Sequence, residues 1–216
     1  MNSNHNLFEF DKNQECAFLL GTDEAGRGPA AGGVFAASVH INNYDIEKEL
    51  SKLNDSKKLS KKVREELFDI ILNNTVNSII CVEVDEIEKY NILNCSLKAM
   101  KLACENVIAQ SSTPDSILTI VDGNQLIRNY NYPQKWVKKG DATSASIAAA
   151  SILAKVSRDR YMQKLHEEFP EYNWAKNAGY LTEEHINSIK NFGICKYHRK
   201  SFLKKILAPE KQLSLL

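Results

Sequence analysis

Four acidic residues in this 216-residue chain stand where short apolar runs end or where a helix is about to begin. Asp23 and Glu24 are adjacent in Gly21-Thr22-Asp23-Glu24-Ala25-Gly26-Arg27-Gly28-Pro29, directly after the apolar Ala17-Phe18-Leu19-Leu20. Side chains alternate faces along a strand, so neighbouring carboxylates serve one site only if the strand stops there and the backbone bends. Gly26 and Gly28 supply that freedom and let a ligand approach the main chain, while Arg27 offers a planar cation suited to phosphate. The stretch reads as carboxylates for a metal ion beside a basic loop for an anionic backbone, against the plainer reading of an acidic-glycine turn. Asp122 closes the β-branched run Ile117-Leu118-Thr119-Ile120-Val121, and Asp141 follows Gly140 ahead of an alanine- and serine-rich segment, 142–156. Taken singly, Asp122 fits turn chemistry and Asp141 fits a helix N-cap.

Strand ends and helix starts are also where α/β folds assemble sites, so the four acids can converge. If they do, they need cations: two carboxylates ~4 Å apart repel by roughly 4 kcal/mol at an effective dielectric near 20. Oxygen-only ligands favour Mg2+ or Mn2+ over zinc. Two such ions form the clamp used for in-line displacement at phosphorus.

The elements that must position these residues follow from local pattern. Strand-like runs cover 17–22, 33–39, 77–84, 117–121 and 135–138. Ser60 caps a helix whose Val63, Leu67, Ile70 and Ile71 share a face. After Asp85, Leu93, Leu97, Met100, Cys104 and Val107 do the same, with an interruption expected near Asn91-Ile92. The alanines at 148–150 let their helix lie close to a sheet. Thr182 caps a short helix carrying Ile186 and Ile189 that stops at Gly193. The glycine-rich turn between the first two strands predicts an antiparallel start to a mixed sheet.

These residues, taken in order, resemble the bacterial ribonuclease HII family. The resemblance runs from about residue 17 to 202. It rests on Asp23 to Pro29, Asn54-Asp55-Ser56-Lys57-Lys58-Leu59, Asn91-Ile92-Leu93, Val121-Asp122-Gly123-Asn124 and Gly140-Asp141. It continues through Ser146 to Val156, Arg158-Asp159, Gly179-Tyr180 and His198-Arg199-Lys200-Ser201-Phe202. It implies an α/β, ribonuclease H-like fold: a mixed five-stranded sheet flanked by helices with a C-terminal helical appendage. The catalytic domain is expected over 16–206 and a tail over 207–216. It makes Asp23, Glu24, Asp122 and Asp141 the metal-binding catalytic carboxylates, with Mn2+ or Mg2+ as cofactor. Gly26, Arg27, Gly28 and Tyr180 then read the junction between a ribonucleotide and DNA, with Lys57 near the nucleic-acid backbone. The implied reaction is endonucleolytic hydrolysis of RNA in RNA–DNA hybrids and incision 5′ to ribonucleotides embedded in DNA, giving 5′-phosphate and 3′-hydroxyl ends.

Composition agrees without deciding. A chain of this length, 43% hydrophobic and 25% charged, suits one globular domain. The polar, Asn-rich residues 1–14 read as a frayed tail and not as a signal peptide. No apolar run suits a membrane span. Five cysteines without a CxxC pair suggest reduced, mostly buried thiols, and a cytoplasmic monomer is expected. Net charge is only +1, yet Lys190, Lys196, His198, Arg199, Lys200, Lys204 and Lys205 crowd one C-terminal stretch, which reads either as a solvated face or as a local basic patch for phosphates. His198 is better read as structural than as a general base, and Trp136 and Trp174 as core or rim residues. The terminal Gln212-Leu213-Ser214-Leu215-Leu216 is similar to the short motif by which bacterial repair proteins dock on the sliding clamp; the alternative is that its leucines pack back on the domain. Two rival readings of the whole chain are a non-catalytic hybrid-binding module and a two-metal exonuclease.

Overall fold

The computed structural model describes residues 3–111 and 116–208. In chain order it contains α1 (Ser3–Lys12), β1 (Phe18–Ala25), β2 (Val34–His40), α2 (Lys61–Asn74), β3 (Val76–Val82), α3 (Val84–Tyr90) and α4 (Ile92–Ala109). It continues with β4 (Ile117–Asp122), β5 (Gln134–Val137), α5 (Ala145–Glu168), α6 (Trp174–Asn177), α7 (Glu183–Phe192) and α8 (Lys204–Leu207). The strands form one mixed sheet in the order β3-β2-β1-β4-β5. Strands β1, β2 and β3 are antiparallel neighbours, while β4 runs parallel to both β1 and β5.

Helices cover both faces. On one face, α1, α2 and α5 bury Leu7, Phe8, Leu67, Ile71 and the alanines of α5 against Ala37 and Val39. On the other, α4 buries Leu97, Met100, Cys104 and Val107 against Leu20, Val34, Ala36 and Val121. Ala148, Ala149 and Ala150 are fully buried, as close helix–sheet packing requires. The approach is tightest at Gly21, where a Cβ would stand 2.3 Å from backbone atoms of Ser146 and Ile147. A third cluster joins Ala30 and Ala31 to Met162, Tyr172, Trp174, Ile189 and Leu203, which fastens the C-terminal helical appendage to the end of α5.

Local capping behaves as expected at three helices. Ser60 accepts from the Val63 N–H and Thr182 from the His185 N–H, while Asn91, at φ 65°, ends α3 and caps α4 by accepting from Asn94. The cap of α5 is Ser144, which accepts from Ile147; Asp141 lies earlier, in the 3-10 turn Gly140–Ala142, and is free for another role.

Four expectations are corrected. Residues 3–12 are helical, and Leu7, Phe8 and Asp11 are buried, so this segment is not a frayed tail. The Asp11 carboxylate accepts from the Ser144 and Ser146 hydroxyls and the Ser146 N–H, which ties α1 to the start of α5. Strand β1 continues to Ala25 and does not stop before Asp23. Of the five free cysteines, only Cys95 and Cys104 are buried. His198 and Arg199 are buried, so they do not belong to the exposed basic stretch. No helix among the described residues is long and apolar enough to cross a membrane.

Candidate active site

The site lies at one end of the sheet, where β1 outruns its parallel neighbour. The last β1–β4 pair is Thr22 with Val121, so Asp23 and Glu24 project beyond it while still paired with Ala37 and Ala36 of β2. Because β1 remains a strand here, the two side chains take opposite faces. Ala37 belongs to the α5 side of the core and Ala36 to the α4 side, which places Asp23 towards α5 and Glu24 towards α4. Asp122 ends β4 next door, and its Oδ1 accepts a 2.6 Å hydrogen bond from Gly140 N–H, bringing the turn with Asp141 alongside.

Electrostatics mark these groups as one cluster. Asp23, only 6% exposed, has its pKa raised well above the carboxylate range by burial and by the charges of Glu24 and Asp122. Asp141 is raised by burial and by Asp122 and Asp55. Burial also raises Glu24, against which Arg27, 3.3 Å from its Oε1, acts to lower it. At Lys57, burial works against the charge, but Asp141, Asp23, Asp55 and Asp122 outweigh it and raise the pKa. The donor chemistry, all carboxylate oxygen, suits a hard divalent cation, and the mutual repulsion is what such a cation relieves. Among the described residues, however, no three such side chains already converge on a point that could hold a metal ion. Asp23 and Glu24 leave β1 on opposite faces beyond its last pair with β4, and both still border one groove.

A groove of about 370 Å³ opens beside the cluster, lined by Asp23, Glu24, Asp122, the Gly26-Arg27-Gly28 loop, Ser56, Lys57, Ser151, Lys155, Arg158 and Tyr180. Tyr180 is 53% exposed, and its ring carbon lies 3.3 Å from where a Gly28 Cβ would stand. The Lys57 loop is anchored by a 2.9 Å hydrogen bond between the buried hydroxyls of Ser56 and Ser151. Asp141 is not among the groove's walls; it joins the cluster through Asp122, Asp55 and Lys57.

The sequence of residues 20–205 matches the family profile described as Ribonuclease HII. The chain is 46% identical to Ribonuclease HII of Fusobacterium nucleatum over 195 residues, covering 90% of this chain and 89% of that protein. The chain belongs to the ribonuclease HII family. It is accordingly a ribonuclease H, a hydrolase acting on RNA paired with DNA. Among solved structures it resembles ribonuclease H2 from Pyrococcus horikoshii, with a TM-score of 0.70 and 25% identity over 88% of this chain and 96% of that one. The ribonuclease HII of Archaeoglobus fulgidus, solved as a PCNA complex, gives a TM-score of 0.68 at 25% identity over 84% and 93%. The sheet order and flanking helices thus form the ribonuclease H-like fold expected from the sequence.

Against this ribonuclease HII framework, the residues expected to act together fall into two groups. Asp23, Glu24, Gly26, Arg27, Gly28, Lys57, Asp122 and Tyr180 share the groove, and Asp141 is linked to them through the charges of Asp122 and Lys57. Sequence reasoning assigned no individual part to Asp55, Ser56, Ser151, Lys155 or Arg158, and it placed Arg199 in an exposed basic stretch although the side chain is buried. All six lie within the motifs that carry the family resemblance, but nothing local distinguishes a buried arginine from a solvated one.

Proposed function

We propose that this chain is an endonuclease that cuts the RNA strand of RNA–DNA hybrids and incises 5′ to ribonucleotides embedded in duplex DNA, leaving 5′-phosphate and 3′-hydroxyl ends. The observation that carries the proposal is the shared groove, whose walls combine the acidic Asp23, Glu24 and Asp122 with the Gly26-Arg27-Gly28 loop, Lys57 and Tyr180. A pure binding module gains nothing from carboxylates facing phosphate. Asp23, Glu24, Asp122 and Asp141 would hold Mg2+ or Mn2+, and two such ions, when bound, generate a nucleophile from water and neutralise charge on the leaving oxygen.

The chain's own residues do the rest. Arg27 and Lys57, both on the groove wall, neutralise phosphates of the bound strand. The 2′-hydroxyl is the group that marks one ribonucleotide within DNA, and Gly26 and Gly28, which carry no side chains of their own, bring main chain to the groove wall where it can meet that hydroxyl. The exposed Tyr180 ring offers a face for a sugar or base. The domain that does this is proposed to span 16–206, with α1 packed on it.

The test is a covalently closed circular duplex carrying one ribonucleotide, incubated with Mg2+, with Mn2+ and with chelator. Metal-dependent nicking is expected; an exonuclease cannot open the closed circle, and binding without nicking in either metal overturns the proposal.

The segment Gln212-Leu213-Ser214-Leu215-Leu216 lies outside the described residues. Its similarity to a clamp-docking motif, together with the Archaeoglobus relative crystallised with PCNA, supports a sliding clamp as a partner of this tail. Deleting 212–216 should remove clamp binding and leave nicking of a short duplex unchanged. Undetectable clamp binding by the full-length chain would favour leucines packed on the domain.

A further inference from the structure

We infer that Arg158 and Arg199 are positioning residues for ribonucleotide recognition: their guanidinium groups hold the Gly26–Gly28 loop and Tyr180 at a set separation. The inference rests on the proposed reading of that loop and of Tyr180.

The two side chains are 2% and 0% exposed, and both bond backbone carbonyls. Arg158 donates through Nε to Gly33 O (3.3 Å), through Nη2 to Ala31 O (3.1 Å) and through Nη1 to Ala178 O (3.1 Å). Arg199 donates through Nε to Gly32 O (2.9 Å) and through Nη1 to Pro29 O (2.8 Å) and Arg27 O (3.4 Å). One guanidinium therefore gathers carbonyls from the segment running from Arg27 to Gly32. The other bridges the continuation of that loop and the residue two before Tyr180. Main-chain bonds complete the junction: Ala30 N–H donates to Gly179 O (2.9 Å) and Arg199 N–H to Ala30 O (2.7 Å).

The orientation of the loop follows. In a trans peptide the C=O and the next N–H point to opposite sides. Drawing Arg27 O towards Arg199 turns Gly28 N–H away from the protein interior. A Cβ on Gly26 would stand 2.2 Å from Arg158 Nε, and one on Gly28 would stand 3.3 Å from the Tyr180 ring. Arg158 thus packs against the first glycine while Tyr180 packs against the second.

The arrangement is costly as a mere filler. Burial lowers the pKa of both arginines, and the charge of Arg158 lowers that of Arg199 further, to about 9. One Arg199 nitrogen, Nη2, is buried without a hydrogen-bond partner among the described residues. Apolar side chains of similar volume can replace buried ionic groups with no loss of stability, so directional bonding is what this pair adds. A fork of fixed geometry can hold several carbonyls at once, which an ammonium cannot.

The experiment uses the full chain with Arg158→Lys and, separately, Arg199→Lys. Each is assayed for kcat and KM on a duplex with one embedded ribonucleotide and on a continuous RNA–DNA hybrid, with thermal melting alongside. A displacement of about 1 Å can cost ~10²-fold. Cleavage at the single ribonucleotide is therefore expected to fall about 10- to 100-fold more than cleavage of the hybrid, chiefly in kcat, in protein that still melts cooperatively. Lysine keeps the charge, so a role in charge alone predicts full rescue. An unchanged ratio between the two substrates, or failure of both variants to fold, overturns the inference and leaves the arginines as structural groups. Absence of nicking by the unsubstituted chain is a different result, and it overturns the proposed function itself.

Discussion

Asp122 Oδ1 accepts a 2.6 Å hydrogen bond from Gly140 N–H, so the end of β4 and the turn carrying Asp141 are coupled by one carboxylate oxygen. Asp122→Asn keeps an acceptor for Gly140 but removes the charge. With the metal-ligand role proposed for Asp122, loss of several kcal/mol of transition-state stabilisation means roughly a thousandfold or greater fall in kcat. Circular dichroism and melting should be unchanged, and substrate binding kept. The Asp23→Asn protein should behave alike. Appreciable nicking by either variant in Mg2+ would remove the assignment.

Tyr180 is exposed and its ring makes no contact that the core depends on, so Tyr180→Ala should leave stability within about 0.5 kcal/mol. Loss of a stacking face costs ~1–3 kcal/mol per base. Cleavage at a single embedded ribonucleotide should fall more than cleavage of a continuous hybrid, which offers more registers. Equal losses on both substrates would show that Tyr180 does not read the junction.

The two glycines of the loop should separate stability from recognition. Gly26 has φ +103° and its missing Cβ faces Arg158, so Gly26→Ala is strained and forces a buried guanidinium to move. A melting temperature lowered by several degrees is expected, from a backbone cost of roughly 1–2 kcal/mol or more. Gly28→Ala meets only the exposed Tyr180 ring; its melting should be unchanged while junction cleavage falls. Comparable melting of both alanine variants would contradict this division.

Behind Tyr180 a chain of hydrogen bonds assigns two neutral histidines. Cys195 N–H donates to His198 Nδ1 (3.1 Å), so the His198 proton resides on Nε2, which donates to His185 Nε2 (3.1 Å). His185 Nδ1–H then donates to Tyr180 O (2.9 Å), and Trp174 Nε1–H (3.1 Å) shares the single lone pair of His185 Nε2 with His198. Burial and the neighbouring His185 push the His198 pKa down to about 4, against 6.5 unfolded. Between these values the unfolded chain binds more protons than the folded one. The stabilising contribution is complete above about pH 6.5 and is lost as pH falls towards 4, a total of roughly 3 kcal/mol. Melting temperature measured from pH 7.5 to 4.5 should fall, and the fall should be shallower in His198→Gln. An equal slope in both proteins would show that other groups govern acid stability.

At the N-terminal end of α5, Asp11→Ala would leave the Ser144 and Ser146 hydroxyls and the Ser146 N–H without their buried partner. A cost of about 1–3 kcal/mol is expected, read as a fall in urea midpoint at unchanged slope. Because Ser144 caps α5, which carries Ser151, Lys155 and Arg158, nicking should weaken at temperatures well below the melting point. No change in midpoint would mean that α1 adds nothing to the domain.

Much of this architecture was legible without coordinates because it is written in near neighbours. Alternating β-branched runs gave all five strands, Ser60, Asn91 and Thr182 marked helix boundaries, and the acid-glycine motifs carried the family. What the sequence could not decide depends on partners far along the chain. The polar segment holding Leu7, Phe8 and Asp11 looks like a free end until Ser144 and Ser146, more than a hundred residues away, complete its hydrogen bonds. Arg158 and Arg199 look like solvated cations until the carbonyls of 27–33 fold over them. Adjacent Asp23 and Glu24 look like one ligand pair, yet pairing with β2 keeps β1 extended through Ala25 and sends them to opposite faces. Residue type and spacing determined which groups could do the chemistry; long-range pairing and burial decided where each of them points and what holds it there.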